Sequence, residues 1–240
     1  ARGRRHLLKL AEEADHGRAG GVIILISAPG IRWFLPDYHT DLDFSRTMIA
    51  VRNAISFTPL SITWERDLST SASVERADIP WKLLEREARD SGSYIIIMRL
   101  DEERLIEVGR LEKISFPEGY YLYVGSAKTG LTSRIERHRR KRKNFHWHID
   151  YLRNEADALW ALPIRSSDHL ECDIADALGR IARQFAPGFG SSDCSCKSHL
   201  FTMRDDPIRR TAFIELLQYF RMGRLQEILE NDDREQGRSK

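Results

Sequence analysis

Between Gly119 and Leu152 the chain reads GYYLYVGSAKTGLTSRIERHRRKRKNFHWHIDYL: tyrosines ahead of a glycine, seven Lys/Arg in the ten residues from Arg134 to Lys143, then two histidines around a tryptophan. Phenols, imidazoles and guanidinium groups gathered this closely suit proton transfer beside a phosphate, because the cations neutralise the anion while the other groups handle protons. On a helix opening after Gly130, Leu131, Arg134, Ile135 and His138 fall at i, i+3, i+4 and i+7, so Arg134 and His138 share the face that the apolar pair turns inward. Arg134 would there meet an anionic ligand, or snorkel and pair with a carboxylate. Arg137, Arg139, Arg140, Lys141, Arg142 and Lys143 cannot all lie on one helix face. A basic run is ordinarily solvated surface, but the neighbouring aromatic residues, His146 and His148 turn this one towards the phosphates of a nucleic acid.

A carboxylate raises the same question. In LECDIADALGRIA, Glu171 shares a face with Ile174, Ala175 and Leu178, where it is costly unless paired, hydrogen-bonded or bound to metal. A buried pair with an arginine would satisfy it; so would Mg²⁺ or Mn²⁺ held by one carboxylate, waters and phosphate oxygens. His146 and His148, two apart, are a weak metal signal. Cys194, Cys196 and His199 in SSDCSCKSHL could share a soft metal such as zinc with Cys172, although the spacing is not that of a zinc finger and small buried thiols are common.

Several elements must position these groups. SYIIIMRL (93–100), RLIEVG (104–109) and GYYLYVGS (119–126) read as three strands, followed by helices at about 131–143 and 169–183. Upstream lie a helix over 5–15, an apolar strand at 22–27, a helix carrying Phe44, Met48, Val51 and Ile55, and a strand at 60–65. The polar stretch 67–88 has the composition of a linker with one short helix. After RDDP, Pro207 opens an amphipathic helical segment over 205–230, which Gly223 either interrupts or does not, and 231–240 is a polar tail.

At 240 residues, 41% hydrophobic and 31% charged, the chain has room for one or two domains. The net charge of +2 decides nothing about a polyanionic partner, so the local bunching of charge carries the inference. Three cysteines are too few and too odd for a disulfide framework, and reduced thiols are expected. The sequence has neither an 18-residue apolar run nor the apolar core of a secretory signal at its basic start, which predicts a soluble, cytoplasmic protein with no membrane partner.

Residues about 90–225 resemble the GIY-YIG nuclease superfamily, in the subfamily marked by Y-V-G-S-A, a helix with R-x-x-R-H, H-W-H-I-D-Y-L, an E-C pair and F-G-S-S-D-C-x-C-x-S-H-L, all present here in order. The resemblance implies that Tyr94 and Tyr123 are the two motif tyrosines, that Arg134 contacts the scissile phosphate and that Glu171 binds the metal. His138 falls where relatives often have histidine or tyrosine. The first motif departs from the pattern, reading Gly-Ser-Tyr, and 28 residues separate Tyr94 from Tyr123, a longer insert than is usual. Residues 1 to about 65 resemble the C-terminal end of the sugar fermentation stimulation protein family, similar to PD-(D/E)XK nucleases, whose acidic ligands would lie upstream of Ala1. That implies the tail of a nuclease fold, truncated or degenerate.

The expectation is therefore an α+β protein: a small antiparallel or mixed sheet with flanking helices over 89–204, preceded by a partial α/β nuclease-like segment over 1–66. Its expected function is metal-dependent hydrolysis of phosphodiester bonds in nucleic acid, DNA rather than RNA. Tyr94, Tyr123, Arg134, His138 and Glu171 would be catalytic. Arg137, Arg139, Arg140, Lys141, Arg142, Lys143, His146 and His148 would bind the nucleic acid. A binding module without cleavage and a zinc-stabilised interaction domain are the alternatives.

Overall fold

A computed structural model describes residues 2–67 and 71–238, and the chain divides into two compact units, 1–89 and 90–240. In the first, α1 (Arg2–Asp15) leads to β1 (Gly21–Ile26), α2 (Leu42–Val51), β2 (Ser56–Trp64), β3 (Ser71–Arg76) and α3 (Trp81–Glu87). β1 and β2 pair in parallel, with α2 in the crossover between them, and β3 adds to β2 antiparallel. Leu7, Met48, Val51, Ile55 and Phe57 fill the core between helices and sheet. The stretch 67–88 is more structured than its polar composition suggested. It contains the expected short helix, which buries Leu83 and Leu84, and also a strand, whose residues 73–76 are solvent-exposed and so carry no apolar alternation.

The second unit is an α+β fold with a five-stranded sheet between two helical layers. β4 (Gly92–Leu100) is an inner strand, antiparallel both to β7 (Gly119–Ala127) and to β8 (Ala158–Arg165); β10 (Leu200–Met203) and the two-residue β9 (Arg183–Gln184) continue the sheet beyond β7. β4 reads as an unbroken apolar run because it is covered on both faces. Tyr94, Ile96, Met98 and Leu100 face a core with α4 (Leu131–Arg139) and α5 (His148–Glu155); Ile95 and Ile97 face α6 (Glu171–Gly179) and α7 (Thr211–Gln218).

Three expected elements differ. The 104–109 strand is β5 (Arg104–Glu107), which pairs with β6 (Lys113–Phe116) in a separate hairpin, while β8 takes the place beside β4. The helix expected over 131–143 stops at Arg139, where Arg140 turns extended, so most of the basic run lies on the following segment. The 205–230 segment is no appendage: Phe213, Leu216 and Phe220 pack in the same core as Ile95 and Ile97. Gly223 does not break that helix. The chain passes through a π turn (Tyr219–Gly223) into α8 (Arg224–Arg238), where a Cβ on Gly223 would come within 3.1 Å of the Tyr219 ring. Among the described residues no helix is long and apolar enough to cross a membrane.

Candidate active site

Antiparallel pairing of β4 with β7 sets Tyr94 opposite Gly125 and Tyr123 opposite Ile96, which brings both tyrosines to one end of the sheet. Gly125 has a reason to be glycine: any Cβ there would overlap the Tyr94 hydroxyl. Gly190 adopts φ +71° and lies so close to the Tyr123 ring that a Cβ would stand 2.5 Å from it.

At this end of the sheet opens a cleft of about 210 Å³, lined by Tyr94, Tyr123, Gly125, Ser126, Arg134, His146, Trp147, His148, Glu171, Gly190, Ser192 and Asp193. The structure thus brings together groups far apart in sequence: tyrosines from two strands, Arg134 from α4 on one face, and Glu171 from the first turn of α6 on the other. His138 is buried one layer behind, and its Nε2 lies 3.0 Å from the Tyr94 hydroxyl. Burial, reinforced by the cations Lys143, Arg137 and Arg134, lowers the His138 pKa to about 3, so the ring is neutral at neutral pH. Burial pushes the Tyr94 phenol well above its ordinary value, against the pull of Arg134. Tyr123 is likewise raised by burial, with the charges of Tyr94 and Glu171 adding to the effect.

Arg134 makes no ion pair among the described residues; its guanidinium lies 4.8 Å from the centroid of the Trp147 ring, in cation–π contact. Arg137 also stacks on Trp147, at 4.3 Å, but its charge is spent elsewhere. It grips buried Asp150 with two nitrogens, at 3.0 and 2.9 Å, and Lys143 Nζ lies 2.8 Å from the same carboxylate. The backbone N–H groups of His146 and Trp147 donate to Asp150 as well. Burial opposes the Asp150 charge, but these five donors outweigh it and hold the carboxyl far below its ordinary value. Arg137 and Lys143, expected on the nucleic-acid surface, therefore turn inward, because a buried carboxylate needs compensating charge. Arg139 pairs with Glu136 at 2.7 Å, and Arg140, Lys141 and Arg142 are exposed.

His146 is exposed, whereas His148, at the start of α5, is half-buried and its Nδ1 accepts from the Gly190 N–H at 3.2 Å, which leaves the proton on Nε2. Glu171 is 26% exposed; its Oε2 accepts from the Ser126 hydroxyl, and its Oε1 lies 3.2 Å from His199 Nδ1. Burial raises the Glu171 pKa, yet His199, Ser126 and the charge of Arg134 together hold it below its ordinary value. The carboxylate is thus ionised, its oxygens keep unused lone pairs, and it borders a polar cleft. That donor chemistry fits a hard divalent cation completed by water and phosphate oxygens.

Behind Glu171, Cys172, Cys194, Cys196 and His199 bring their ligand atoms within 4.8 Å of one another and could hold a metal. Burial and the hydrogen bonds of Cys196 and Cys194 push the Cys172 thiol up to about 12. Sequence reasoning missed Trp147, Ser126 and Asp150. Only Trp147 left a trace, as the aromatic residue between two histidines.

The family model described as "Domain of unknown function DUF123" matches residues 93–222. The model described as "Sugar fermentation stimulation protein RE domain" matches residues 1–67. No curated protein and no solved structure matches the chain.

Proposed function

Since the chain belongs to the DUF123 family, a GIY-YIG-like domain family, we propose that its second unit is a metal-dependent endonuclease that hydrolyses phosphodiester bonds of nucleic acid, DNA in preference to RNA. One observation carries the reading: a single cleft sets an arginine that has no carboxylate partner among the described residues beside an ionised carboxylate and a hydrogen-bonded phenol. Arg134 neutralises the non-bridging oxygens of the scissile phosphate, held in place by its stacking on Trp147. Glu171 would hold Mg²⁺ or Mn²⁺, which supplies charge stabilisation at the phosphate and the leaving oxygen.

Tyr94 orients the attacking water. With the His138 ring protonated on Nδ1, the Tyr94 hydroxyl donates to Nε2 across the 3.0 Å contact, and its oxygen, which also faces Arg134, can accept from water in the cleft. A proton taken from that water can pass through the phenol to His138, whose other nitrogen, Nδ1, faces Asp150 Oδ1 at 3.8 Å. Burial makes an isolated phenolate or imidazolium costly here, so the transfer is favourable only in concert with attack. Tyr123 completes the cleft wall next to Gly190. Arg139, Arg140, Lys141, Arg142, His146 and His148 follow the backbone on either side.

The test is incubation of the protein with labelled single-stranded, duplex and branched DNA and RNA in Mg²⁺ or Mn²⁺, beside Glu171→Ala and Arg134→Ala. Cleavage by the wild type that both variants lose is expected. Salt-sensitive binding without cleavage on every substrate would leave a binding module and overturn the mechanism.

A further inference from the structure

The nuclease chemistry has no use for three thiols and a buried histidine packed behind its carboxylate. All three cysteines are free. Cys172 lies in the first turn of α6, next in sequence to Glu171, while Cys194, Cys196 and His199 come from the loop that enters β10. Ordinary zinc bond lengths at tetrahedral angles put sulfurs about 3.8 Å apart and a sulfur about 3.6 Å from a nitrogen. Here Cys194 Sγ lies 3.4 Å from His199 Nε2, and all four ligand atoms fall within 4.8 Å of one another. Three soft thiolates and an imidazole select zinc over the hard cations of the cleft.

His199 is the hinge between the two sites. It is 1% exposed, its Nε2 faces the thiols, and its Nδ1 lies 3.2 Å from Glu171 Oε1, in a geometry that is not yet a linear hydrogen bond. We propose that Cys172, Cys194, Cys196 and His199 bind one zinc ion, with His199 ligating through Nε2, and that His199 then holds the Glu171 carboxylate at the edge of the cleft. Ligation through Nε2 fixes the proton on Nδ1, where its only role is donation to Glu171, the arrangement in which a carboxylate orients a metal-bound imidazole. The zinc closes the 185–199 loop onto α6 and takes no part in the chemical step; Glu171 and His199 are positioning partners of each other. Zinc binding is independent of the nuclease reading, and only its consequence for cleavage rests on that reading.

Metal analysis of the reduced full chain, chelator competition and Co²⁺ reconstitution test this without any nucleic acid. One zinc per chain is expected. The Co²⁺ form should show thiolate charge-transfer absorption and the intense visible bands of a four-coordinate site, and both should vanish in Cys194→Ser/Cys196→Ser. Glu171→Gln, which leaves all four ligands in place, should keep one zinc but bind it about 10-fold more weakly. A reduced wild type that takes up no zinc, or a Co²⁺ spectrum without thiolate ligands, overturns the site. Unchanged zinc affinity in Glu171→Gln overturns the link through His199. A zinc-free protein that still cleaves would sink this proposal and spare the nuclease; a zinc-bound protein that cleaves nothing would do the reverse.

Discussion

Arg134 and Arg137 are three residues apart on one helix and stack on the same tryptophan, yet among the described residues only Arg137 has a carboxylate partner. Arg134→Ala should therefore lower cleavage by about 10²–10³-fold with little change in stability, as loss of one charge-stabilising donor does elsewhere. Arg134→Lys should recover little, because an ammonium neither stacks as a plane nor binds two oxygens at once; single-turnover rates beside thermal melts check both. His138 yields a pH prediction. The unfolded imidazole titrates near 6.5 and the folded one at about 3, so the unfolded chain binds the extra proton between those values. Stability should fall as pH drops through that window, by up to about 1.4 kcal/mol per pH unit, and denaturant titrations of His138→Gln should show a flatter profile. At this scale an arginine and a glutamate at apolar helical spacing violate burial preference and so stand out in the sequence, and the fold brings both to one cleft. The sequence could not disclose Asp150, which follows an isoleucine in an ordinary helical pattern and acquires its role only when Arg137 and Lys143 fold back onto it.

Helix α4 has no side-chain cap of its own, because Gly130 stands at the N-cap. Asp90, forty residues earlier, does that work: its Oδ1 accepts from the Thr132 N–H at 2.9 Å and the Thr132 hydroxyl at 2.6 Å, and Arg165 pairs with it at 2.7 Å. Asp90→Ala should cost about 1 kcal/mol and misplace Arg134, so that melting temperature and cleavage fall together. The basic segment divides in the same spirit. Replacing Arg140, Lys141 and Arg142 by alanine should reduce the salt slope of duplex binding by two to three with the fold intact. Asp150→Ala should destabilise by about 3–5 kcal/mol, since it strands Arg137 and Lys143 without their anion. Elements whose burial matches their period were legible, as with the fully covered β4. β8 and β10 were not: β8 is an apolar run, but it contains Pro163, which argues against a strand, and is tolerated because β8 lies at the sheet edge; β10 is only four residues long.

Each unit has a core of its own, Met48 and its neighbours in the first, the two faces of the five-stranded sheet in the second. Residues 90–240 alone should therefore fold, and they contain every group assigned to the cleft and to the proposed zinc; circular dichroism and metal content of that fragment check it. The α+β class could be read in advance because apolar runs and amphipathic stretches alternate irregularly along the chain. The sheet order could not, because pairing between β4 and β8 across more than fifty residues leaves no mark in either strand. The same pairing has a consequence in time. β4 is hydrogen-bonded on both sides and buried along nearly its whole length, so its amide hydrogens should exchange with deuterium only when the entire unit opens, whereas those of residues 141–145, outside any helix or strand, should exchange in local fluctuations. Tyr94 thus keeps a slow clock and the cationic segment beside it a fast one: under the proposed reading, a nucleic acid entering the cleft would shape itself to the first and be met by the second.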